Sequence, residues 1–142
     1  MLGYGISDCL HCDKKVKLTG KLYCSNRCQV DYQYASYVEG WKRGEVTGSR
    51  GINAKNISKH VLRYLNEKYG NACSICGWSE INKFSGKVPL EIDHIDGNSD
   101  NNFEKNLRLL CPNCHSLTSS FRNLNKGNGR DWRRAKYVKL VS

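Results

Sequence analysis

Eight cysteines in four close pairs constrain this chain more than any other feature of its sequence. They read Cys9-x2-Cys12, Cys24-x3-Cys28, Cys73-x2-Cys76 and Cys111-x2-Cys114. The first residues, from Met1 to Cys9, show no basic end followed by an apolar stretch, so they predict no export signal. Paired cysteines outside an oxidising compartment point to metal rather than disulfides. Two sets of four sulfur ligands suit two closed, tetrahedral, structural zinc sites. The expected location is therefore intracellular and reducing.

Charge narrows the partner. The chain has 142 residues, 23 of them Lys or Arg and 13 Asp or Glu, a formal net charge of +10. Eight thiolates on two dications would reduce this to about +6, which is still basic. The excess lies at +4 over residues 38–72 and +6 over residues 119–142, while residues 73–118 carry −2. Basic flanks around an acidic centre fit a metal enzyme acting on a polyanion: cations hold phosphates and carboxylates hold the working metal. No run of 18 apolar residues is present, which excludes a helical membrane span.

Four segments follow along the chain. Residues 1–41 form an N-terminal four-cysteine module of Cys9, Cys12, Cys24 and Cys28. In it Ser25 caps a helix from about Asn26, with Val30, Tyr34, Tyr37, Val38 and Trp41 at helical spacing. Residues 42–72 are a basic linker and helix. The glycine-rich stretch 40–56 reads as the linker, and a helix is predicted over 57–69. Its apolar stripe is Ile57, Val61, Leu62, Leu65 and Tyr69, and Gly70 stops it. Its other face carries Lys55, Lys59 and Arg63, a candidate phosphate-binding stripe. Residues 73–125 hold the second cysteine set, Cys73, Cys76, Cys111 and Cys114, and residues 126–142 are a basic tail.

The 34 residues between the second set's pairs must hold structure of their own. A strand is predicted over 88–93 starting at Pro89, then a turn-rich loop over 96–102, then a strand over 107–110. A helix follows from Pro112, with Leu117, Phe121 and Leu124 on its core face. On that helix His115, Ser119 and Arg122 would share another face, making Arg122 a candidate phosphate contact. Within this unit lie Asp93, His94, Asn106 and His115. Phosphodiester hydrolysis needs a base for water and a divalent cation for the developing charge. A histidine titrates near neutrality, a carboxylate and a second histidine can hold the metal, and an amide can orient the base.

The segments EIDHIDG (91–97) and NLRLLCPNCH (106–115) resemble HNH endonucleases with a four-cysteine zinc site. The resemblance covers residues 73–121. It implies a small, zinc-stabilised α+β fold: a ββα-metal finger, here preceded by a treble-clef-like zinc module and a linking helix. It further implies hydrolytic DNA cleavage, with His94 as general base and Asn106 orienting it. Asp93 and His115 would then hold Mg²⁺ or another divalent cation. Where some relatives carry a further metal-binding histidine, this chain has Ser119, which leaves two protein ligands. The N-terminal module and the tail from Lys126 to Arg130 are similar to small phage-encoded HNH nucleases. DNA is the expected partner, gripped by Lys55, Lys59, Arg63, Arg122, Arg130, Arg133 and Arg134. Two rivals share the cysteines: a non-catalytic zinc-dependent nucleic-acid-binding protein, and a thiol–disulfide enzyme, which bound zinc would exclude.

Overall fold

In the computed structural model the described residues are 6–16, 20–51 and 54–125, without the side chains of Ala54, Lys55 and Asn123. The chain divides into two compact units, Met1–Val46 and Thr47–Ser142. No helix among the described residues is long and apolar enough to cross a membrane.

In the first unit, β1 (Ser7–Asp8) pairs antiparallel with β2 (Lys15–Val16), and α1 spans Asn26–Lys42. The sequence places Ser25 at the helix N-cap, and its hydroxyl accepts from the Cys28 N–H at 3.1 Å. The first cysteine pair lies on the β1–β2 connection and the second at the start of α1, so the hairpin and the helix end bring four sulfurs together. The expected stripe on α1 is only partly inward-facing: Trp41 is buried and Val30 is 53% exposed.

The second unit opens with a hairpin, β3 (Ser49–Gly51) against β4 (Ala54–Ile57), where the glycine count predicts a linker. Gly44 and Gly48, both at φ +77°, serve as turns on the way into it. Helix α2 (Lys59–Tyr69) is capped by Ser58, whose hydroxyl accepts from His60 N–H, and ends at Gly70 in the left-handed conformation. Val61 and Leu65 are fully buried, whereas Leu62 is exposed.

Strand β5 (Glu91–His94) pairs antiparallel with β6 (Leu107–Leu110), with Asp93 opposite Arg108 and His94 opposite Leu107. The strand begins two residues after Pro89, which has no N–H to give a ladder. Leu107 and Leu109 are buried on one face of β6, and α2 packs on this strand. On the other face Leu110 joins Cys73 and Cys111 in a buried cluster with Trp78, Leu90 and Cys114 around it. The zinc-type site is thus continuous with the core.

Helix α3 is short, Pro112–Ser116, and corrects the longer helix predicted from Leu117, Phe121 and Leu124. Leu117 is 85% and Leu124 70% exposed. The cause is local: Ser116 Oγ donates to the Asn113 carbonyl and Thr118 Oγ1 to the His115 carbonyl, so hydroxyls compete for the helix's own acceptors. A 3₁₀ turn at Arg122–Asn125 follows.

Candidate active site and metal centres

The sulfurs of Cys9, Cys12, Cys24 and Cys28 lie within 4.8 Å of one another, as do those of Cys73, Cys76, Cys111 and Cys114. Cys12–Cys24, Cys24–Cys28 and Cys28–Cys12 are 3.5, 3.4 and 3.7 Å apart, and Cys76–Cys111 3.7 Å. Tetrahedral zinc with Zn–S bonds of about 2.3 Å needs S···S edges of about 3.8 Å, so both donor sets fit the ion. None of the eight cysteines is in a disulfide. Burial pushes the Cys9 thiol up, but backbone N–H groups at Cys24, His11 and Cys12 outweigh it and hold it down to about 6. Cys73 likewise is held down to about 6, against burial, by backbone groups at Cys76, Cys111 and Ile75. The thiols of Cys28 and Cys12, with burial, push Cys24 up to about 12, and Cys76, burial and Cys111 do the same to Cys114. Four adjacent sulfurs cannot all ionise without a cation, and in each set backbone N–H groups favour the thiolate at one sulfur.

The second group is built by strand alternation. Residues two apart on β5 share a face, so Glu91 and Asp93 lie on one side. His115 of α3 addresses both: Nδ1 meets Glu91 Oε2, and Nε2 lies 3.9 Å from Asp93 Oδ1. The other Asp93 oxygen accepts from Arg108 Nε at 2.7 Å, across the strand pair. Asp93 is 4% exposed, and this ion pair is what makes its burial tolerable. Two donors 3.9 Å apart fall within the roughly 3.0–4.2 Å that separates ligands on one octahedral cation with 2.1 Å bonds. A carboxylate on the far nitrogen of a ligating histidine fixes its tautomer and ring orientation. Asp93 and His115 thus fit a divalent cation, and Glu91 and Arg108, which sequence reasoning passed over, hold them in place. Glu91 was findable as the residue two before Asp93; Arg108 needed the register.

His94 ends β5, and the chain turns at once, with Gly97 N–H donating to the His94 carbonyl at 2.9 Å. Its Nε2 lies 2.8 Å from Oδ1 of Asn102. The amide touching the imidazole is therefore that of Asn102. Asn106, expected there, spends its side chain elsewhere: Oδ1 accepts from Asp96 N–H at 3.0 Å, and Nδ2 donates to Asp96 Oδ1 and the Asn101 carbonyl, each at 2.8 Å. Asn106 braces the 96–101 loop that leads away from His94. Burial pushes the Asp96 carboxyl up, but the Asn98 N–H, Asn101, Asn106 and the His94 charge together hold it below the usual carboxylate range.

This loop is clasped from the other side. Asn125 Nδ2 donates to the Gly97 carbonyl at 2.7 Å. A Cβ on Gly97 would sit 2.5 Å from Asn125 Oδ1, and the residue is at φ +74°. Gly97→Ala is therefore expected to destabilise the second unit by about 1–3 kcal/mol. A fall in the urea midpoint at unchanged zinc content checks this.

The early end of α3 dissolves the face on which His115, Ser119 and Arg122 were expected to align. Arg122 instead sits at φ +49° with its guanidinium 4.9 Å over the Phe121 ring, which itself packs edge-on against His115 at 5.4 Å. Of the other expected DNA contacts, Lys59 is exposed on α2, and Arg63 is ion-paired to Glu67 at 2.9 Å. The Lys55 side chain and Arg130, Arg133 and Arg134 lie outside the described residues.

Residues 73–121 match the model of the family described as HNH endonuclease. The chain is also similar to the H-N-H endonuclease F-TflIV of Escherichia phage T5, at 33% identity over 99 residues. That alignment covers 70% of this chain and 40% of the relative, so the chain spans well under half of that protein. No solved structure matches it.

Proposed function

We propose that this chain is a metal-dependent endonuclease that hydrolyses DNA phosphodiester bonds, a reading supported by the match of residues 73–121 to the HNH endonuclease family model. The observation that carries this is the convergence of β5 and α3. Asp93 and His115 face each other across 3.9 Å, and His94 follows at the strand end, where a phosphate straddling that end meets both faces. In this reading His94 takes a proton from the attacking water. Asp93 and His115 hold the catalytic Mg²⁺ or a substitute, which would neutralise charge on the phosphate and leaving oxygen. Glu91 keeps His115 in its ligating tautomer, and Arg108 fixes the Asp93 rotamer. Asn106 acts at one remove, by shaping the loop after His94.

Zinc at the two four-cysteine sites is structural in this proposal. The hairpin-then-helix order of the first unit supports a treble-clef-like reading of that module. Lys55, Lys59, Arg63, Arg122, Arg130, Arg133 and Arg134 are the proposed DNA contacts, with Arg63 weakened by its Glu67 partner. A reducing, intracellular setting suits eight unpaired thiols. The test is incubation of the zinc-loaded protein with supercoiled plasmid, with added Mg²⁺ or Mn²⁺ and with the catalytic metal withheld. Nicked or linear product only with the added cation is expected. Conversion independent of added metal, or none with any divalent ion, would overturn the proposal.

A further inference from the structure

Asn102 is buried, 5% exposed, in a run of asparagines and aspartates that otherwise serves as a turn. A buried amide must find partners for its polar atoms. Its Nδ2 lies toward Ser49 Oγ at 3.3 Å and its Oδ1 meets His94 Nε2 at 2.8 Å. A carbonyl oxygen only accepts, so Nε2 must be the protonated nitrogen and Nδ1 the one with the lone pair. Among the described residues Nδ1 has no hydrogen-bond partner, and His94 is only half-buried. Ser49 belongs to the β3–β4 hairpin, 24 residues before the matched segment begins at Cys73.

We propose that Asn102, held by Ser49, is the positioning residue for the general base: it fixes His94 as the Nε2–H tautomer and presents Nδ1 to the attacking water. The inference rests on the nuclease reading for its consequence in rate, but not for the tautomer itself. The water's proton goes to Nδ1, its oxygen bonds to phosphorus, and the P–O bond to the leaving ester oxygen breaks, that oxygen taking a proton from solvent. The hairpin upstream of the HNH match thus takes part in setting the base.

The test uses the full zinc-loaded chain. Nitrogen NMR over a pH series, read where the His94 signals no longer change as the pH is raised, gives the tautomer of the neutral ring, with His94 assigned by its absence in His94→Ala. The wild type should show Nε2 protonated and Nδ1 bare. Asn102→Leu should shift His94 to a mixture of tautomers and lower kcat on a DNA substrate about 10- to 100-fold, part of what a positioned base supplies. KM and zinc content should not change. Asn102→Asp, which keeps an acceptor oxygen, should restore much of kcat, and Ser49→Ala should show a smaller loss of the same kind. A protonated Nδ1 in the wild type, or an Asn102→Leu chain that cuts at the wild-type rate, would overturn the proposal. If Asn102→Leu does not fold, the wild-type spectrum decides. A wild type inactive with every divalent metal would sink the nuclease reading, and the spectrum would still decide the role of Asn102.

Discussion

Replacing His94 with alanine is expected to slow DNA cleavage by about 10²–10⁴, with DNA affinity and zinc content close to those of the wild type. The separation of effects follows from how the residue is held. His94 contributes to the fold through its backbone, by pairing with Leu107 and accepting from Gly97 N–H, and alanine keeps both contacts. Among the described residues its side chain makes one hydrogen bond, to Asn102. The imidazole is only partly buried, so truncation leaves a small, wettable gap rather than a core cavity. Plasmid nicking, gel-shift affinity and elemental zinc on the same preparation check the three parts. Cleavage at the wild-type rate would mean that another group takes the proton.

Loss of the second four-cysteine site should be the most damaging change to the fold. Cys111→Ala is expected to abolish cooperative folding of residues 47–125, and full chelation of the wild type to do the same. Zinc binding to such sites contributes about 10–16 kcal/mol, comparable with the whole stability of a small domain, about 5–15 kcal/mol. Here the loss would be felt directly, because Cys73, Leu110 and Cys111 form one buried cluster. The first site differs in that only Cys9 is buried, against both Cys73 and Cys111 in the second, so its loss should unravel the N-terminal unit alone. Elemental analysis should find two zinc ions per native chain. Amide spectra of each variant would show which unit loses dispersion. A Cys111→Ala chain that melts like the wild type would refute the structural role of the site.

The parts of this protein legible in its sequence are those with a strict chemical requirement. Cysteine spacing disclosed both sulfur clusters, because four thiols so placed have few other uses. Ser25 and Gly70 marked helix ends, since capping and left-handed backbone select those residue types, whereas the start expected at Ile57 lies in β4 and Ser58 is the cap. Asp93 and His115, expected to share a cation, lie 3.9 Å apart. The failures also have causes. Leu117, Phe121 and Leu124 carry helical spacing, but the hydroxyl-rich run from Ser116 to Ser120 satisfies backbone carbonyls from its side chains and ends α3. The glycines of 40–56 suggested a linker, yet Gly40 lies in α1 and Gly51 in β3, and only Gly44 and Gly48 turn the chain, ahead of the hairpin. Asn102 was invisible because an asparagine that closes a turn and one that holds an imidazole look alike among Asn98, Asn101 and Asn102. Only the folded loop distinguishes them. The same loop shows Asn106 bound to Asp96 and Asn101 rather than to His94.

The packing of α2 on β6 has a practical consequence for anyone wishing to transplant this domain. The recognisable motif begins at Cys73, but Val61 and Leu65, both fully shielded from solvent, lie before it, as does Ser49. A graft cut at the motif's edge would leave Leu107 and Leu109 facing water and set Asn102 adrift from its hydroxyl partner. The portable cassette therefore starts at Thr47, where the second compact unit starts. Fusions trimmed to the motif alone should come out insoluble, whereas those that begin at Thr47 carry their own floor.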